Sequence, residues 1–416
     1  MSAPHELLLV SYWYPPAVGA AAERVHSFAR YLPRHGWKVS VLTAWHAANA
    51  PVDAGAVVHR ALDPAAKGAT AFADYDPRAR PSGVKSFLRE FVFPDRFRLW
   101  QKAAARLGEQ VVRERGVDAI LASFPPASAV MAALAIHEAT RKPLILDFRD
   151  QWFGPGGYEL RRARARSRHE ELERRAIQRA TGLVAVSEAM ADSLARRHGF
   201  PRHRIAVITN GYDADHALSP HEGPVEMHPL TIAHVGTVIA RNRPEVFFEG
   251  VRSLSSSGRL VDTRFRFVGN LSRDYIREGG LSGVVETTGL VTRDVARKEM
   301  ESAAGLLLLV GDYVGRWGHN AKVFEYVQTG RPILCLEESA GSNDGKLLKR
   351  FAGERTFFAT LGDVESMVQA IGAMRGYLEK TPGSALHLEA EFQQYGRARL
   401  TGALAEAMAG FLKERK

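Results

Sequence analysis

Short runs of Val, Ile and Leu, each of strand length, alternate with longer amphipathic stretches through most of this chain. Six lie in the first half: "ELLLVSYW" (6–13), "WKVSVLTA" (37–44), "VDAILAS" (117–123), "PLILDFRD" (143–150), "GLVAVS" (182–187) and "RIAVITNG" (204–211). Five follow: "LTIAHVG" (230–236), "TRFRFVG" (263–269), "GVVETTG" (283–289), "GLLLLVG" (305–311) and "PILCLE" (332–337). A strand with one wet face alternates apolar and polar residues. These runs are nearly continuous in apolar residues, so both of their faces must be covered, and the helical stretches between them supply the cover. The pattern predicts an α/β fold of parallel sheets wound with helices on both sides.

A polar, proline-containing break at 213–229, "DADHALSPHEGPVEMHP", splits the runs into two sets. A length of 416 residues exceeds one ordinary core and suits two. The expected division is a first domain over 1–215, a second over 216–386, and a helical segment over 387–416 that crosses back onto the first. Doubly wound sheets bind ligands beyond the carboxyl ends of their strands, so two of them facing one another would enclose a central cleft.

Composition narrows the class. With 45% hydrophobic and 25% charged residues the chain is globular rather than disordered. Its longest strongly apolar stretch, "AAGLLLLVG" (303–311), is far shorter than the roughly 20 residues of a membrane span. The start of the chain has no basic segment ahead of an apolar one, so no signal peptide is expected. The single cysteine, Cys335, lies in an apolar run and reads as a small buried hydrophobe. A cytoplasmic setting is expected. The formal charge of +10 suits a phosphorylated substrate or an anionic lipid surface, and no nucleic-acid-binding motif accompanies it. Much of that charge sits in 161–179 and 78–102. The first carries Glu170, Glu171 and Glu173 among its arginines and reads as a solvated helix face. The second interleaves Phe87, Phe91, Phe93, Phe97 and Trp100 with arginines, as an acceptor surface or a peripheral membrane contact would.

"GHNAKVFEYVQTGRPIL" (318–334) holds the densest chemistry. Asn320 suits an N-cap, Gly330 a left-handed C-cap residue, and Pro332 a stop, so a helix should begin near Ala321. Its amino end would face out of the carboxyl edge of the sheet. Lys322 in the first turn opposes the helix dipole, a conflict that anion binding would resolve. Glu325 could accept hydrogen bonds from a ribose diol. The pair reads equally well as a surface salt bridge at i,i+3.

Taken with "SYWYPPAVGAAAERVHSFARYLPRHGWKVSVLT", "DFRDQW" (147–152), "VITNGYD" (207–213), "AHVGT" (233–237) and "AKVFEYVQTGRPIL", the chain resembles the retaining glycosyltransferases of family four, which have the GT-B fold. That fold is two Rossmann-like doubly wound domains facing a central cleft. The resemblance implies a sugar transferase, with retention, from a nucleoside-diphosphate sugar, UDP being the expected nucleotide, onto the hydroxyl or amine of a sugar, lipid-linked sugar or small-molecule acceptor. It implies no metal or other cofactor. It gives the donor Gly19, Thr237, one of Arg241 and Arg243, Asn320, Lys322 and Glu325, and the acceptor Glu23, His26 and Trp152, beside the Phe91 and Phe97 that the arginine-interleaved stretch already offers. Asp150 and Arg149, with Arg241 and Lys322, would do the chemistry, the cations stabilising charge on the departing diphosphate. Asp147 reads as buried support. The family's usual first glutamate, which binds sugar hydroxyls, falls at Trp317, so sugar recognition does not carry over. Two other readings stand beside this one: an epimerase or hydrolase of nucleotide sugars on the same fold, and a non-enzymatic basic protein for membrane or nucleic acid.

Overall fold

The structure, a computed structural model, describes residues 4–17, 19–45, 55–64, 92–153, 162–216, 226–260, 262–272, 274–277, 280–381 and 390–414. Phe91, one of the expected acceptor residues, lies outside them. The chain divides into two compact units, one formed by Met1–Asn210 with Arg397–Lys416 and the other by Gly211–Gly396.

The first unit is a seven-stranded sheet in the order β3-β2-β1-β4-β5-β6-β7. Its strands are β1 (His5–Val10), β2 (Trp37–Ala44), β3 (Val57–Ala61), β4 (Ala119–Phe124), β5 (Leu144–Phe148), β6 (Gly182–Ala185) and β7 (Ile205–Val207). All of them pair in parallel. Helices α1 (Ala20–Tyr31), α2 (Arg98–Arg115), α3 (Ala127–Thr140), α4 (Ala163–Arg179) and α5 (Glu188–His198) connect them. Strands β1, β4 and β5 are buried almost end to end, as their unbroken apolar runs require.

The second unit is a six-stranded parallel sheet in the order β10-β9-β8-β11-β12-β13. It uses β8 (Leu230–Val235), β9 (Thr263–Val268), β10 (Val285–Gly289), β11 (Gly305–Val310), β12 (Ile333–Glu337) and β13 (Thr356–Thr360). Its helices are α6 (Pro244–Ser256), α7 (Asp274–Arg277), α8 (Arg293–Ser302), α9 (Asp312–Trp317), α10 (Ala321–Thr329), α11 (Asn343–Phe351) and α12 (Val364–Lys380). Apolar layers cover both faces of this sheet. Phe247, Phe265, Leu307 and Met374 pack in one, and Val323, Phe324, Leu308 and Cys335 in the other.

The terminal helix α13 (Arg397–Lys413) belongs to the first unit. Leu404, Ala405, Met408 and Phe411 pack there with Leu7, Val25 and Phe28, and Arg397 donates to Glu23 of α1 at 2.9 Å. Both strand orders reverse direction once, between β1 and β4 in the first unit and between β8 and β11 in the second. Crevices in doubly wound sheets open beyond the carboxyl ends of such strand pairs, which fixes where to look for a site. Among the described residues no helix is long and apolar enough to cross a membrane.

Candidate functional site

In the second unit β8 and β11 pair only through Gly305–Ile232 and Leu306–Ala233, and then part. Side chains take over the backbone groups left beyond that point. His234 Nδ1 lies 3.0 Å from the Leu307 carbonyl, and the Val235 N–H donates to the Tyr326 hydroxyl at 2.9 Å. Tyr326 is on α10, so this bond also pins the helix to the strand end. Helix α10 begins at Ala321 and ends at Gly330, whose φ of 66° is the left-handed geometry that glycine adopts without strain.

The amino end of α10 is uncapped: Asn320 occupies the N-cap position and makes no side-chain cap bond. Its amide group instead donates to Asp344 at 2.6 Å, and the same buried carboxylate accepts from the Asn320 backbone N–H at 3.2 Å and meets His319 Nδ1 at 3.1 Å. Asp344 therefore shapes the 318–320 loop and leaves the first-turn N–H groups of α10 without a side-chain acceptor.

Lys322 extends from that turn into the gap between the parted strands. Its Nζ is 2.8 Å from His234 Nε2, and a Cβ placed on Gly236 would lie 3.2 Å from it. The ammonium pairs with a neutral imidazole rather than with Glu325, which turns to Arg293 at 3.5 Å. Loss of hydration lowers the Lys322 pKa from 10.5 to about 8, against an opposing pull from Glu325 and Asp344. The surface-salt-bridge reading of the Lys322–Glu325 pair does not hold. What the helix presents is a desolvated cation beside an open dipole end, an arrangement that an anion relieves.

Two arginines lie in the turn after β8. Asn242 locks this turn down by donating to the Leu309 carbonyl at 3.2 Å and accepting from the Ile239 N–H at 3.1 Å. Arg243, in left-handed geometry with φ 51°, is engaged by Glu245 at 2.7 Å and by Glu338. Arg241 stacks its guanidinium over Tyr313 of α9, 5.2 Å from the ring centre. A Cβ at Gly311, the residue just after β11, would lie 2.0 Å from the Arg241 carbonyl, so the turn packs directly on that strand end. Thr237 is half-buried just beyond Gly236.

In the first unit the carboxyl ends of β4 and β5 meet the start of α1 through a buried network. Arg24 grips Asp147 with two hydrogen bonds of 2.8 and 3.1 Å and donates to the carbonyls of Ile208 and Thr209. Ser123 donates to Asp147 at 2.9 Å and accepts from Arg149 at 2.9 Å. Asp147 is buried support, and Arg149 is drawn into the same chain; Asp150 is half-buried beside it. Gly19 precedes α1 at φ 123°, a conformation open to glycine, with exposed backbone. Glu23 is held by Arg397, and His26 meets Tyr14 edge-on at 5.9 Å.

Two expected acceptor residues are interior. Trp152 is fully buried, stacked on Phe124 at 4.7 Å and donating toward His169. Phe97 is 3% exposed, its ring 3.9 Å from that of Tyr12. Neither offers an acceptor a surface, because large aromatics gain more from burial than from exposure. His234 and Asp344 were not anticipated. A lone histidine inside an apolar strand, two residues before a glycine, was the only local signal for the first.

Comparison with known proteins bears on the family and the fold. Residues 21–216 match the model of the family described as Glycosyltransferase Family 4. This bears out the resemblance read from the sequence and the expectation of an enzyme of that class. No curated protein matches the sequence. Among solved structures the chain is similar to sucrose-phosphate synthase from Thermosynechococcus elongatus, at 14% identity and TM-score 0.67, covering 99% of both chains. It is also similar to Anabaena HepE in complex with UDP and glucose, at 16% identity and TM-score 0.63, over 98% of this chain and 99% of that one. WaaG, a glycosyltransferase involved in lipopolysaccharide biosynthesis, matches at 14% identity and TM-score 0.56, over 97% of this chain and 100% of that one. UDP-GlcNAc 2-epimerase from Methanocaldococcus jannaschii shares the fold at 9% identity and TM-score 0.53, over 98% of this chain and 99% of that one. The fold is that of the GT-B glycosyltransferases.

Proposed function

We propose, from the premise that residues 21–216 form a Glycosyltransferase Family 4 domain, that the chain transfers a sugar from a UDP-sugar to a hydroxyl or amine acceptor with retention and without a metal. One observation carries this reading: the Lys322 ammonium stands at the uncapped amino end of α10, at the switch point of the second sheet, paired with a neutral group. A diphosphate would meet there a full positive charge together with the backbone N–H groups of Ala321 and Lys322, the Val323 N–H being already given to the Asn320 carbonyl at 3.1 Å. The same groups would stabilise the charge that builds on the leaving diphosphate as the glycosidic bond breaks, which is the larger part of what such a reaction needs. Retention by attack on the face vacated by the diphosphate requires positioning and no protein nucleophile. Glu325 is one turn further along α10, where a ribose diol would reach it, and Arg241 supplies a second cation. Arg243 is already balanced by two carboxylates and is the weaker candidate.

The first unit supports an amphipathic acceptor. A cavity of about 450 Å³ is lined by Phe93, Leu99, Met131 and Leu172 together with Arg98 and Lys102. Apolar walls with cations beside them match a lipid-linked phosphate better than a small neutral metabolite.

A panel of nucleotides and nucleotide sugars read by thermal shift tests the donor, since a ligand bound only by the folded chain raises its melting point. Stabilisation by UDP, with none from GDP or NAD, is the expected outcome; stabilisation by NAD alone would overturn it. Incubation with UDP-GlcNAc and no acceptor separates the epimerase: inversion at C2 would establish that reading instead.

A further inference from the structure

A cation waiting for an anion has to be held still meanwhile, and a lysine side chain with four rotatable methylenes is poor at this unaided. What holds Lys322 is His234. The imidazole is 1% exposed and sits where β8 and β11 cease to pair. Its Nδ1 is 3.0 Å from the Leu307 carbonyl, which can only accept, so Nδ1 carries the proton. Nε2 then has a lone pair and no hydrogen, and it faces Lys322 Nζ at 2.8 Å. Burial and the adjacent ammonium both hold the ring neutral, well below its usual pKa. The ring of Phe267, 5.5 Å away, closes one side, and Gly236 leaves room for Nζ on the other.

We infer that His234 is a positioning residue for the donor diphosphate: its neutral imidazole accepts one Lys322 N–H and so directs the other two toward the amino end of α10. The inference rests on the donor site proposed above. A carboxylate at this position would hold the lysine equally well but cancel its charge. An apolar residue would leave the charge whole but free to swing into solvent. An imidazole fixed as its Nδ1–H tautomer orients the ammonium and leaves its charge for the ligand. Its position in the strand also links the preset cation to the β8–β11 gap, because the same ring satisfies the Leu307 carbonyl that the parted ladder strands.

The test compares wild type, His234→Phe, His234→Gln and Lys322→Met by calorimetric titration with UDP and with uridine, across pH 6.5 to 9.5. UDP affinity should fall at least tenfold in His234→Phe, while uridine, which lacks phosphates, binds as before. His234→Gln, whose side-chain oxygen is an alternative acceptor, should recover most of the loss. The pH profile is the measurement a mere packing role would not move. Without an acceptor the ammonium loses its proton more easily, so the alkaline limb of UDP binding should shift to lower pH in His234→Phe and return in His234→Gln. The double variant His234→Phe/Lys322→Met should bind UDP no more weakly than Lys322→Met alone. Should His234→Phe fail to fold, His234→Asn replaces it: a side chain too short to reach Nζ should show the same loss and the same shift. Wild-type UDP affinity and an unmoved pH profile in the His234 variants, with Lys322→Met defective, would overturn the role of His234 alone. Wild-type UDP affinity in Lys322→Met would overturn the donor site itself.

Discussion

Replacing Lys322 by methionine separates a functional cation from a structural one. The native side chain retains an ammonium whose pKa is about 8 instead of 10.5. That lowering means the unliganded fold carries, on the order of a few kcal/mol, a desolvation cost for keeping the charge. Methionine has nearly the same length and removes that cost. It also strips His234 Nε2 of its buried partner, which costs about 1–3 kcal/mol. The two nearly cancel, so the unliganded melting point should stay within a few degrees of wild type, on the upward side. Binding behaves differently. A lysine–phosphate hydrogen bond is charge-assisted and worth about 1.5–3 kcal/mol, so UDP affinity should fall roughly tenfold to a hundredfold. Differential scanning calorimetry with and without UDP reads both quantities on one sample. A drop of many degrees in the unliganded protein, with the UDP response intact, would show that the lysine is a structural group and refute the reasoning.

Three further outcomes follow from the same contacts. Because Lys322 loses its proton near pH 8 in the folded chain but near 10.5 when unfolded, its contribution makes stability rise as pH climbs through that window; UDP affinity should run the other way, and melting curves of wild type against Lys322→Met will isolate the effect. Gly236→Ala forces a φ of 120° on an L residue and places a Cβ 3.2 Å from Nζ, so it should weaken UDP binding together with about 1–3 kcal/mol of stability, read by chemical denaturation and titration. Arg24→Met leaves Asp147 charged and buried, and should cost the first unit about 3–5 kcal/mol in urea unfolding, much of it regained in Arg24→Met/Asp147→Asn.

What could be read from the residues was whatever is local. The start of α10 at Ala321 and its stop at Gly330 followed from Asn320, Gly330 and Pro332, and the interior strands from their apolar runs. Of the four edge strands, β7 and β10 show as apolar runs, whereas β3 and β13 do not: "VVHRA" and "TFFAT" are wetted along much of their length and lack the unbroken burial of β1 or β11. The site was half legible for a related reason. Lys322 stands out against its own helix dipole, whereas His234 lies 88 residues away and acquires meaning only when β8 and α10 come together. Asn320 shows the same limit: a good N-cap by type, it is diverted by Asp344, a buried carboxylate 24 residues on. Phe97 reads as a surface aromatic because an arginine-rich stretch surrounds it, and Trp152 is given to the acceptor by the resemblance, yet packing against Tyr12 and Phe124 takes both inside.

A crystal structure of the protein with UDP tests the central claim most directly. The β-phosphate should lie about 3 Å from Lys322 Nζ, the distance of a charge-assisted hydrogen bond, with further oxygens on the N–H groups at the start of α10. A nucleotide seated elsewhere, with Lys322 still turned to His234 and no phosphate beside it, would contradict the account.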